Sequence, residues 1–212
     1  MNFSSLARLA PLTGVVAVAL LATGAALLGI YDYLPAADRL RGMISDNATN
    51  VAIGGYLGSL AAFFLIWFAG TVFEALRERE GGAGRLSLVA LGGGVASGAT
   101  LAIGFSAIFA SGARAGAESG IGPVEAVTLY DLYGQVLGQG FAITMAVFIG
   151  ATAVIVLRHG AFPAWFGWVS AAVAVGLLTP FAYVALAPTL VWLVVLSIWL
   201  YLRRRSASST PV

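Results

Sequence analysis

Six apolar stretches constrain this chain more than anything else in it, because each approaches the roughly 20 residues a helix needs to cross a hydrocarbon core about 30 Å thick. Short charged or glycine-rich loops separate them. Of 212 residues, 60% are hydrophobic and 9% charged, whereas a soluble domain is about a quarter charged. The expected fold is therefore all-α, a polytopic membrane helix bundle whose first partner is the lipid bilayer. Residues 1–205 read as one transmembrane domain with spans at about 12–30, 51–76, 86–110, 134–157, 164–183 and 188–202, and residues 206–212 as a disordered tail.

The residue inventory removes most chemistries. There is no cysteine, so disulfides, thiolate metal sites and cysteine nucleophiles are excluded. All eleven basic residues are arginine, which excludes a lysine Schiff base. The single histidine, His159, cannot alone build a bis-histidine haem or a multi-histidine zinc site. No cofactor and no metal are expected. A net charge of +2, spread over loop ends, reads as topology rather than as a nucleic-acid surface.

The first span follows Arg8, and its apolar run exceeds the usual signal-peptide core, so it is expected to be retained. Gly14, Gly24, Ala25 and Gly29 suit close helix contact. Tyr31, Asp32 and Tyr33 mark an interface before Pro35. Residues 35–50 read as an external loop, with Leu40, Met43 and Ile44 forming a short amphipathic turn on the membrane surface. The second span carries Gly54 and Gly58 and ends in the charged, glycine-rich loop from Arg77 to Arg85. The third carries Gly92, Gly93, Gly94, Ser97, Gly98 and Thr100, and its small residues predict the most centrally packed helix.

After a second external loop at 111–122, Pro123 and Glu125 suit the start of a helix. No proline follows before Leu157, so one helix could run for about 50 Å at 1.5 Å per residue. Such a helix must tilt, extend outside the bilayer, or break near Gly134. Trp165 and Trp168 open the fifth span, Thr179-Pro180 kinks or ends it, and Trp192 and Trp199 lie in the sixth. The tryptophans read as interfacial anchors and packing residues. With the N terminus inside, eight arginines are cytoplasmic and Arg39, Arg41 and Arg114 are outside, which predicts six spans and two cytoplasmic termini.

Polar chemistry is densest at the start of the fourth span. Asp131, Gln135 and Gln139 stand four residues apart and share one helical face. Counting about 20 residues back from Arg158 puts the outer hydrocarbon boundary near Gly138, which moves Asp131 into the headgroup zone. Gln135 and Gln139 then remain at the external mouth of the bundle, as a ligand or partner site or as a packing face. Tyr56, Ser97 and Thr100 could turn hydroxyls to a common interior, and interhelical hydrogen bonds account for them equally. Gly54, Gly58, Gly94, Gly98, Gly134 and Gly138 read as helix-packing positions. No catalytic residue is assigned: Ser106 in Gly104-Phe105-Ser106-Ala107 has no histidine at its depth.

Phe162-Pro163-Ala164-Trp165-Phe166-Gly167-Trp168, followed by Leu193 to Arg203, resembles the uncharacterised DUF4386 family of bacterial six-span membrane proteins. The resemblance covers mainly the C-terminal fifth, and implies a multi-pass inner-membrane protein without supplying catalytic residues. Chemical poverty within the spans, combined with abundant Gly and Ala, points to a non-enzymatic accessory or structural subunit. It would pack against itself as a homo-oligomer or within a larger membrane complex. The alternative is a transporter or binding protein for a small neutral or lipidic molecule, with an outward-facing pocket lined by Gln135, Gln139 and hydroxyls of spans two and three. No inverted repeat is evident.

Overall fold

The computed structural model describes residues 9–29, 35–180 and 182–207, which contain helices and no strand. A 3-10 turn, Ala10–Leu12, leads into α1 (Thr13–Leu28); the short α2 (Ala37–Asp46) precedes two long helices, α3 (Ala48–Glu80) and α4 (Arg85–Ala115). Next come α5 (Pro123–Gln135), a π-helical segment (Val136–Phe141) and α6 (Ala142–His159), which run on without a break. The chain closes with α7 (Ala164–Leu177) and α8 (Ala182–Ala207). Arg8, the Tyr31–Tyr33 interface and the end of the proposed tail lie outside the described residues.

Among the described residues, five helices are long and apolar enough to cross a membrane: Ala10–Leu28, Ala48–Glu80, Arg85–Ala115, Pro123–His159 and Ala182–Ser206. The fifth expected span differs. α7 has 14 residues and rises about 21 Å, short of a full crossing. Its last turn tightens through Leu178 N–H to Val175 O and Thr179 N–H to Gly176 O, and Pro180 cannot continue it. α8 accordingly starts earlier than residue 188 and takes Pro188 inside, with the proline exposed. It also runs to Ala207, into the expected tail. α4 likewise continues through Arg114, shortening the second external loop to residues 116–122.

Small residues decide which helices meet. α3 and α4 form an antiparallel pair in which Gly112 lies against the backbone of Ala52, Gly55 against that of Phe109, Gly58 under the Phe105 ring, Gly98 against Ile66 and Gly94 against Ala69. A Cβ at Gly24 would stand 2.8 Å from the Gly54 carbonyl, so α1 and α3 touch backbone to backbone. Gly93 brings α4 to the Phe148 backbone of α6, Gly167 of α7 receives Leu157 of α6, and Gly176 of α7 meets Ala185 of α8. Finally Gly14 of α1 receives Ser197 of α8. The helices therefore form a closed ring in chain order, with the last packed on the first.

The turns at the arginine-rich end are built as specifically as the helix contacts. Gly81, Gly82 and Gly84 adopt positive φ values of 65°, 53° and 59°, a region that favours glycine. They return the chain so that the Glu80 carboxylate accepts from Leu86 N–H at 2.9 Å, Ser87 N–H at 2.8 Å and Ser87 Oγ at 2.6 Å. Glu80 thus caps the first turn of α4, where backbone donors have no intrahelical partners. Burial pushes its carboxyl up, but the Ser87 hydroxyl, the two N–H groups and nearby His159 outweigh that and hold it below the ordinary value.

Seven described arginines, Arg77, Arg79, Arg85, Arg158, Arg203, Arg204 and Arg205, flank the helix ends at this side of the bundle, and Arg39, Arg41 and Arg114 the other. Arg204 bonds Glu74 at 3.0 Å and Ala10 lines the same groove, so α1 starts where α8 ends. At the opposite end the apolar face of α2, expected to rest on a membrane surface, turns inward to the protein instead. It buries Leu40 and Ile44 in the protein core, beside α5, while Met43 stays half-exposed.

Candidate functional site

The polar stripe points away from the bundle. Asp131, Gln135 and Gln139 are all exposed, and neither amide has a hydrogen-bonding partner among the described residues. The cause lies two residues along. Tyr133, Leu137 and Phe141 form the parallel stripe that meets α4: Tyr133 packs edge-on against Phe105 at 5.3 Å between ring centroids, Leu137 sits over Gly104, and Phe141 is buried. Two residues are about 200° of an α-helix, so seating this apolar stripe turns the polar one outward. The π-helical turn lies between the two halves of the helix, where its extra residue resets the register. The long helix is thus reshaped just beyond Gly134 without being broken.

The hydroxyls expected to join the glutamines lie elsewhere. Ser97 Oγ donates to Gly93 O at 2.7 Å and lies 3.2 Å from Thr144 Oγ1. Thr100 Oγ1 donates to Ala96 O and Ser97 O and stands 3.5 Å from Thr144 Oγ1. These three residues form a polar seam between α4 and α6, with backbone carbonyls as acceptors. Tyr56 is 58% exposed on α3 and takes no part in it. Although Thr100 packs on Gly140, the adjoining Gln139 faces outward, so the pocket of two amides and several hydroxyls is not assembled within this chain.

The candidate packing glycines divide into two groups. Gly54, Gly58, Gly94 and Gly98 sit in tight contacts between helices of the ring, where an added Cβ would collide with a neighbour. Gly134 and Gly138 do not: a Cβ at either would meet nothing within 4 Å. Together with Gln135 and Gln139 they make an open face of small and amide residues on the outside of the bundle.

The tryptophans, expected as interfacial anchors and packing residues, divide between those two roles, and the sequence alone did not say which takes which. Trp192 is buried, donates Nε1–H to Ser170 Oγ at 2.8 Å, stacks on Phe166 and meets Phe148 edge-on. Trp199 packs on Phe162 and Phe166, whereas Trp165 and Trp168 are exposed as anchors would be.

Two grooves open at the arginine-rich end. The larger, about 740 Å³, runs along α3 past Phe63, Trp67 and Gly70 to the Glu74–Arg204 pair. The smaller, about 390 Å³, surrounds the α6–α7 loop beside Arg79, Trp199 and Arg203. Among the described residues no group of three or more His, Cys, Asp or Glu side chains could hold a metal ion. Comparison with known protein families, with characterised proteins and with solved structures finds no match.

Proposed function

We propose that this chain is a non-enzymatic, six-helix protein of a bacterial inner membrane that assembles with copies of itself or within a larger membrane complex. The carrying observation is the open face of Gly134, Gln135, Gly138 and Gln139 on the Pro123–His159 helix. Small residues let helix backbones approach closely in lipid, and amides then bond across the contact. The glycines inside the ring already serve contacts within the chain; these two are available to another helix. Both termini are cytoplasmic in this reading, supported by the concentration of arginine at the end where α1 starts and α8 finishes. The likeness of Phe162–Trp168 and the final helix to the DUF4386 family belongs to the same proposal.

The chain has no native cysteine, so single-cysteine crosslinking is clean. Gly134→Cys and Gly138→Cys proteins, oxidised in membranes and purified in mild detergent, should yield crosslinked dimers or a co-purifying partner. A strictly monomeric protein with no partner overturns the proposal.

A further inference from the structure

The larger groove at the arginine-rich end has features of a lipid site. Its wall is α3, where Phe63, Ile66 and Trp67 are exposed and Phe63 packs against Trp67 at 5.4 Å between centroids. Glycine supplies the depth: a Cβ at Gly70 would meet nothing within 4 Å, so the wall is hollow at that height. From Phe63 to Glu74 the groove extends over about 16 Å of helix, and its volume of about 740 Å³ falls within the range of small-molecule sites. Its other edges come from Ala10, at the start of the chain, and Arg204, on α8.

The apolar wall ends at two opposite charges. Glu74 and Arg204 are 3.0 Å apart, with side chains 66% and 32% exposed, so a ligand's polar end can reach both. A carboxylate accepts from an ammonium group, and a guanidinium with five donors can bond a phosphate as well as a carboxylate. We infer that this groove binds a phosphatidylethanolamine molecule, with an acyl chain along Phe63, Trp67 and Gly70, its phosphate at Arg204 and its ammonium at Glu74. Charge complementarity selects this headgroup. Phosphatidylglycerol would bring a phosphate but no cation for Glu74, and phosphatidylcholine brings a cation without an N–H to donate.

The test uses the full-length protein in detergent, with phosphatidylethanolamine, phosphatidylglycerol or phosphatidylcholine added and bound lipid counted by native mass spectrometry. The wild type should retain phosphatidylethanolamine in about tenfold preference to the other two, as one charge-assisted hydrogen bond predicts. Glu74→Gln should abolish that preference. Gly70→Leu, whose Cβ meets nothing within 4 Å, extends a side chain into the hollow and should lower retention of every lipid while leaving the thermal midpoint unchanged. Equal retention of the three lipids by the wild type, or unaltered retention in both variants, overturns the inference. So does a Gly70→Leu protein that loses dimers instead of lipid, since the groove would then seat a second copy. Oligomerisation through Gly134 and Gly138 is read separately by crosslinking, so either proposal can fail alone.

Discussion

The hydroxyl of Ser197 presses on Gly14, buried where α8 closes on α1, and has no hydrogen-bonding partner among the described residues. Most serines and threonines in these helices return their hydroxyl to a carbonyl three or four residues earlier, as Thr152, Ser170 and Thr189 do. Ser197 therefore carries an uncompensated polar group at the ring's closing contact.

Ser197→Ala should leave the detergent-solubilised protein as stable as the wild type or more stable, by about 1 kcal/mol, because removing an unpaired buried hydroxyl breaks no hydrogen bond and relieves its desolvation cost. Gly14→Ala places a methyl group against that hydroxyl and the Phe68 ring, and should cost about 1–3 kcal/mol. In the double variant part of the cost should disappear. Thermal unfolding of all four proteins measures this coupling.

The Glu80 cap makes stability depend on acid. Its folded carboxyl titrates below the ordinary value of 4.5, so its contribution is fully present above that value and is lost as pH falls through the folded one. Glu80→Gln should lower stability by about 1 kcal/mol at neutral pH. The unfolding midpoints of variant and wild type should converge in acid.

Ser170 of α7 accepts the indole N–H of Trp192 of α8 at 2.8 Å, a buried side-chain bond between the two helices. Ser170→Ala orphans a buried N–H and should destabilise by about 1–3 kcal/mol. Tryptophan fluorescence during denaturation would report it; an unchanged midpoint would show that the indole finds another acceptor.

Gly58 and Gly138 give opposite expectations under the same substitution. Gly58→Val drives a side chain into the Phe105 ring and should reduce folded yield severely. At Gly138 an added Cβ meets nothing within 4 Å, so with Gly138→Val the monomer should keep its melting temperature while crosslinked dimers are lost. Size-exclusion chromatography and crosslinking distinguish the two outcomes.

How much of this was legible beforehand differs between backbone and surface. Runs of apolar residues expose the long helices, since an unbroken hydrogen-bonded segment is demanded wherever water is absent. Gly54, Gly58, Gly94 and Gly98 announce close approach by size alone, but nothing in their spacing says that Gly58 faces Phe105 or Gly94 faces Ala69. Direction is harder to read. Lipid and protein interior are equally apolar, so Trp192 and Trp168 look alike although one is buried and the other exposed. For the candidate site, the polar stripe was visible and its orientation was not. That was set by Tyr133, Leu137 and Phe141, an aromatic and aliphatic stripe with the same spacing. Glu80 escaped notice because its partners follow a glycine turn, where no periodicity links carboxylate to helix start.

A ring in chain order has a seam. Junctions from α1–α3 through α7–α8 join successive helices of the ring and can form as each emerges during synthesis. The junction of Gly14 with Ser197 must wait until α8 has been made. Until then the first helix has one flank uncovered and the bundle is an open arc. Emergence of α8 is therefore the step that turns a row of helices into a finished enclosure.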